Sequence, residues 1–280
     1  MQRCCQIGPF PFRLTVPEML PLPENLALFE ANVLPEAYHY ELSFSSALLL
    51  PRTRPLVRRP DLTVFQTDTG EGRLLGISGV PVPYAYYQEL DAAHARVTLA
   101  PGWREQFGSD TIFTSLLALE RRMIDLDQLV LHCAYVKYRG EAILFSAPSE
   151  TGKTTQANLW ERYRGAETVN GDRALLGRRA GGWIAQGWPV CGSSGVCHNE
   201  TTPIRAIVML SQAKENSARR LTPLEAMRLV FGQLTVNRWN PAFTSRATDL
   251  ALELCATVPV YHLGCTISEE AVSCLERALF

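Results

Sequence analysis

Residues 143 to 156 read ILFSAPSETGKTTQ, an apolar run that stops at Ala147, Pro148, Ser149, Glu150, Thr151, Gly152, Lys153, Thr154 and Thr155. The spacing A-x-x-x-x-G-K-T is that of a phosphate-binding loop with alanine in the place usually held by the first glycine. Each residue type has a physical reason to be there. Gly152 lets the backbone turn so that successive N–H groups face phosphate oxygens. Lys153 brings a cation to the β- and γ-phosphates of ATP, and Thr154 offers a hydroxyl to Mg²⁺. A methyl is the smallest departure from glycine, so Ala147 costs little. The chemistry needs a strand entering the loop and a helix leaving it, and the pattern predicts both, with the helix over about 152–163. Without a nucleotide, the same stretch is a plain strand-to-helix turn.

Two more groups could join the loop. Residues 130–138 and 141–147 read as strands joined by Arg139-Gly140. A two-residue hairpin there sets Tyr138 opposite Glu141, Val136 opposite Ile143, and His132 opposite Ala147 at the mouth of the loop. The competing reading of His132 is a core histidine between Leu131 and Cys133. A kinase also needs an acid to hold Mg²⁺ or take the proton of the acceptor hydroxyl. Asp172, in Asn170-Gly171-Asp172-Arg173, follows a short strand through Thr168 and Val169, at the carboxyl end where ligands of open α/β sheets bind. Its alternative is a turn-forming cluster. Arg173 either neutralises phosphoryl charge or is an exposed structural arginine.

His132 in LHCAYV, then SAPSETGKTT, then NGDR make residues 128–280 resemble the C-terminal catalytic domain of HPr kinase/phosphorylase and its relatives, whose fold is similar to the core of phosphoenolpyruvate carboxykinase. The resemblance is strongest over 130–175. It implies ATP-dependent phosphorylation, typically of a serine hydroxyl, with His132 near the transferred phosphate. It also implies Lys153 and Thr154 on ATP and Mg²⁺, and Asp172 as an active-site carboxylate and metal ligand. The tract GWPVCGSSG over 187–195 is similar to one after the phosphate loop in a branch of that group. The family's paired aspartates stand here as Gly171-Asp172, so Asp172 or His132 must take the role of the first acid, or catalysis is weak. The tract used for phosphorolysis is not recognisable and the N-terminal half differs, so HPr itself does not follow as the substrate. The acceptor stays open among a protein serine, a peptide and a small hydroxyl compound.

The elements that must position these groups follow from periodicity. The expected fold class is α/β with α+β character: a β-rich domain over 1–127, a candidate for substrate recognition, and a mixed-sheet P-loop kinase core over 128–280. Tyr40, Leu42 and Phe44, and again Ala95, Val97 and Leu99, alternate with polar residues as half-buried strands do. PRTRPLVRRP and SGVPVPYAYY read as breakers or edges. Ile112, Leu116, Leu119, Met123 and Leu126 predict one bridging helix over 110–126. Residues 204–210 read as a strand covered on both faces. Thr222-Pro223-Leu224-Glu225 is a capping box opening a helix over 223 to about 234. A helix near 246–256, a strand over 258–263 and a helix opened by Ser268 complete the chain.

Composition narrows the partners. With 27 basic and 28 acidic residues among 280 and 46% hydrophobic residues, no whole-chain field favours nucleic acid or anionic lipid. The aliphatic cluster Ala47–Leu50 is far short of a membrane span, and the start MQRCCQIGPFPF lacks the apolar core of a signal peptide. The expectation is a cytoplasmic protein that could be a homo-oligomer. Its eight cysteines lack a CxxC pair, and Cys191, Cys197 and His198 fit zinc spacings poorly. Reduced, partly buried thiols are therefore expected. The glycine-flanked Ser193 and Ser194 form either a substrate loop or a plain surface loop. Trp183 and Trp188 read as packing residues rather than an adenine stack.

Overall fold

The computed structural model describes residues 1–280, which divide into two compact units, Met1–Leu119 and Glu120–Phe280. The first holds β1 (Gln2–Ile7), β2 (Phe10–Thr15), α1 (Glu24–Ala27), β3 (Tyr38–Phe44), β4 (Pro55–Arg58), β5 (Leu62–Gln66), β6 (Glu71–Leu75), β7 (Ala85–Glu89) and β8 (His94–Leu99). They form one sheet in the order β1-β2-β3-β8-β7-β6-β5-β4, with β3 parallel to both of its neighbours. The alternation works as expected: Tyr40, Leu42, Ala95, Val97 and Leu99 are buried while Glu41, Ser43, His94 and Arg96 are exposed. Pro55 and its exposed neighbours take the edge, where a missing N–H is harmless. The stretch Tyr84–Tyr87 is not a breaker. Its tyrosines are buried and continue into β7, because three aromatic side chains gain more from the core than Pro81 and Pro83 lose by stopping the chain just before them.

The bridging helix expected over 110–126 is two short helices, α2 (Asp110–Leu116) and α3 (Leu119–Asp125). Leu116, Leu117, Ala118 and Leu119 are all buried, and one face of a single helix cannot bury four consecutive residues. The chain turns at Ala118, whose φ of 47° is left-handed. The division into units falls here, ahead of residue 127.

The second unit continues with β9 (Leu129–Tyr138), β10 (Glu141–Ser146), α4 (Lys153–Arg164), β11 (Glu167–Asn170), β12 (Arg173–Arg179), β13 (Gly182–Gln186), β14 (Thr201–Gln212), β15 (Ser217–Arg220), α5 (Pro223–Phe231), α6 (Pro241–Thr257), β16 (Val260–Cys265) and α7 (Glu269–Leu279). Its sheet is mixed. β10 lies antiparallel to β9 and parallel to β14, and β14 is parallel to β16. Alternate residues feed two cores. Leu131, Cys133, Tyr135, Leu144, Ile207 and Met209 pack with α5 and α6, whereas Ala134, Val136, Phe145, Ala206 and Val208 pack with α4 and α7. Both faces being covered is why β14 reads as a nearly continuous apolar run.

The helix ends obey local chemistry. Thr222 and Glu225 form the reciprocal capping box of α5, which stops at Phe231 before Gly232. α6 starts a turn earlier than the periodicity suggests, because Asn240 accepts from Phe243 N and Pro241 occupies the first helical position. Glu276 of α7 accepts from Arg164 Nε of α4 at 2.6 Å and from the Tyr138 hydroxyl of β9 at 2.8 Å, tying two helices to the sheet.

Candidate phosphate-loop site

The β9–β10 ladder runs from Glu141 opposite Tyr138 to Ser146 opposite Cys133. Its turn residues Arg139 and Gly140 both have positive φ, 53° and 79°, as a two-residue hairpin whose twist matches its strands requires. One step beyond that ladder His132 comes level with Ala147. The tie is visible: the Ser146 hydroxyl donates to His132 O at 2.7 Å.

After Ser146 the loop turns through Glu150, with φ 64°, and Gly152, with φ 115°, into the first turn of α4. Gly152 is needed there, since an L side chain rarely adopts that φ. Lys153 is nearly buried, and its ammonium donates to Ala147 O at 3.1 Å and Pro148 O at 3.2 Å. The cation thus closes the loop on itself. Burial lowers the Lys153 pKa from its ordinary value, with Asp172 opposing that shift.

A cleft of about 360 Å³ opens over the loop, lined by His132, Ser149, Glu150, Gly152, Lys153, Thr154, Thr155, Gly171, Asp172 and Ser193. It gathers His132 from β9, Lys153 and Thr154 from the first turn of α4, and Asp172 from the turn between β11 and β12. Ala147 is buried beneath it, and Ala147 and Pro148 contribute their carbonyls to Lys153. Thr151 faces a second cavity, of about 420 Å³, with Gln156, Gln212, Cys265 and Ile267; the two cavities share Glu150, Gly152 and Thr155.

β12 lies against β9 with Arg173 opposite His132, which brings Asp172 to the histidine. His132 Nε2 is 3.6 Å from Asp172 Oδ1, and Arg173 Nε is 3.0 Å from Asp172 Oδ2. Arg173 also donates to the Thr235 hydroxyl at 3.1 Å. It is therefore anchored rather than free at the surface. His132 is neither wholly core nor wholly open, with 23% of its side chain exposed. Desolvation first, then the nearby Lys153, lowers its pKa, while Asp172 pulls the other way. The ring therefore holds its proton less tightly than an exposed imidazole.

Sequence reasoning did not single out Asn170. It is fully buried; its Oδ1 accepts from Asp172 N and Arg173 N, each at 2.9 Å, and its Nδ2 donates to Trp188 O at 2.9 Å and Val190 O at 3.0 Å. One side-chain amide thus holds both the turn that presents Asp172 and the tract that leads to Ser193. Gly171 has its own constraint. A Cβ at that position would meet Ser194 Oγ at 2.1 Å, so the loop over 192–195 occupies the space of any side chain there.

The residues suit Mg²⁺. No three His, Cys, Asp or Glu side chains form a metal-binding group, and Mg²⁺ with a nucleotide does not need one: it takes one or two protein oxygens, with phosphate and water completing its octahedron. Thr154 and Asp172 line the same cleft and would supply those oxygens.

Among curated proteins nothing matches this chain. Among solved structures, the Hpr(Ser) kinase/phosphatase from Coxiella burnetii matches at 12% identity over 53% of this chain and 94% of that chain, with a TM-score of 0.33, too low to argue from. No helix is long and apolar enough to cross a membrane. The model of the family described as SynChlorMet cassette protein ScmC matches residues 110–280, a span that takes in α2 and every residue of the second unit, and by that match the chain belongs to the ScmC family.

Proposed function

We propose that the second unit is an ATP-dependent kinase that transfers the γ-phosphoryl group to a hydroxyl acceptor, a serine of a protein or peptide. The observation that carries this reading is the convergence of Lys153, Thr154, Asp172 and His132 on one cleft over a left-handed Gly152 and a helix N-terminus. The first-turn N–H groups of α4 and Lys153 bind the β- and γ-phosphates. Lys153 exchanges its two carbonyl partners for phosphate oxygens. Thr154 and Asp172 would hold Mg²⁺, which when bound would supply charge neutralisation. Asp172 receives the acceptor's proton, with the His132 ring 3.6 Å from its Oδ1. The neighbouring cavity with Gln156 and Ile267 has room for the nucleoside. The first unit is the candidate for selecting the acceptor.

A second reading, a nucleotide-binding regulatory or assembly module with little transfer activity, is favoured by Gly171, which leaves the first acid of the pair missing. Two measurements separate them. Mg-ATP at about 100 times its Kd should stabilise the fold by about 2.7 kcal/mol, seen as a raised Tm, and Lys153→Ala should remove the shift. With γ-labelled ATP and a peptide pool, Asp172→Asn should lower transfer by about 100-fold or more while the melting shift stays. No shift in the wild type would sink both readings; a shift without transfer would leave the second.

A further inference from the structure

The tract after β13 ends in a single 3-10 turn, Gly192–Ser194, whose two serines are used differently. Ser194 is committed to the loop: its hydroxyl donates to Cys191 O at 2.6 Å and accepts from Val196 N at 3.1 Å. Ser193 has no such tie. It is exposed, and it lines the same cleft as Lys153, Thr154, Asp172 and His132.

Its position is built rather than incidental. Asn170 Nδ2 holds Trp188 O and Val190 O ahead of the turn, while the same residue's Oδ1 holds Asp172 N. Loop and acid are therefore set by one buried amide. Gly192, with φ 57°, brings the backbone so close to the acid that a Cβ there would lie 3.2 Å from Asp172 Cγ and Oδ1. The next residue along is Ser193. Only a glycine at 171 leaves room for this approach, since Ser194 stands where its side chain would be.

We propose that Ser193 is an acceptor of the γ-phosphoryl group, so that the chain phosphorylates itself in cis. This rests on the kinase reading above. Ser193 Oγ forms a bond to the γ-phosphorus of the nucleoside triphosphate as the bond from that phosphorus to the β,γ-bridging oxygen breaks. The hydroxyl proton passes to the Asp172 carboxylate, and the nucleoside diphosphate leaves with the electron pair of the broken bond. The products are phosphoserine 193 and the diphosphate. No other reactant is required.

The test incubates the purified full chain with Mg-ATP and follows intact mass, the modified peptide and the melting shift on the same samples. The expected result is one phosphate per chain, on Ser193, at a first-order rate unchanged by tenfold dilution. Ser193→Thr should carry phosphothreonine at the same position, Ser193→Ala should carry none, and Asp172→Asn should slow the modification of Ser193 by about 100-fold. A melting shift with Ser193 unmodified, phosphate on another residue, or a rate proportional to protein concentration would each overturn the inference while leaving the kinase reading intact. Absence of the shift itself would remove both.

Discussion

His132 shows how a residue's chemistry depends on neighbours that the sequence brings from far away. Its ring lies between a buried ammonium and a carboxylate, and burial is the larger effect, so the folded ring holds its proton less tightly than the unfolded chain does. The unfolded state then binds more protons between the lowered folded pKa and about 6.5, the unperturbed histidine value. Folding stability contributed by this group therefore rises as pH rises through that window and is level above it. An NMR titration should find the His132 ring titrating below pH 6.5. The dependence of unfolding free energy on pH just below 6.5 should flatten in His132→Ala; an unchanged dependence would mean that the ring is not desolvated. The level of His132 with Ala147 was legible because a two-residue turn leaves one register. Asn170 was not, because Asn-Gly-Asp states a turn but not that its amide is buried, and its partners Trp188 and Val190 come from a separate tract.

At the scale of elements, α4 is the rigid support of the site, and Trp160 fixes it. The indole is fully buried, with ring centroids 5.2 Å from Tyr138 and 6.1 Å from Phe145, and its N–H has no partner. Trp160→Ala should cost about 3–5 kcal/mol from the cavity and lost contacts. Trp160→Phe should cost much less, about 1 kcal/mol, because it removes an unsatisfied donor together with part of the ring. Urea unfolding of both variants checks this, and equal losses would show that the donor is satisfied. Element types in the second unit were readable wherever a local rule acts, as with the capping box at Thr222 and the covered strand β14. The break at Ala118 was not, because Leu116 and Leu119 share a helical stripe and only the burial of Leu117 and Ala118 between them forces the chain to turn.

For the whole molecule, the two cores of the second unit draw on residues from Ile124 to Leu279 and on none of the first. A chain of residues 110–280 should therefore unfold in one cooperative transition and keep the Mg-ATP melting shift. A broad transition without the shift would mean that the site depends on residues before 110. In the first unit the alternation showed strands but not their order, since β3 lies parallel to both β2 and β8 and such pairings come from crossovers that period-two patterns do not encode. With a net charge near zero, the chain as a whole sets up no long-range field that would steer a charged partner.

The contact between Gly171 and Ser194 also limits sequence change. An acid introduced at 171 alone would drive its Cβ into Ser194 Oγ and Cβ, both within 2.2 Å, and displace the loop that Asn170 holds. Removing the hydroxyl at 194 would not relieve the clash, because Ser194 Cβ alone stands 2.2 Å away, and it would cost the loop its bonds to Cys191 O and Val196 N. A side chain at 171 and a serine at 194 therefore exclude each other in this loop geometry.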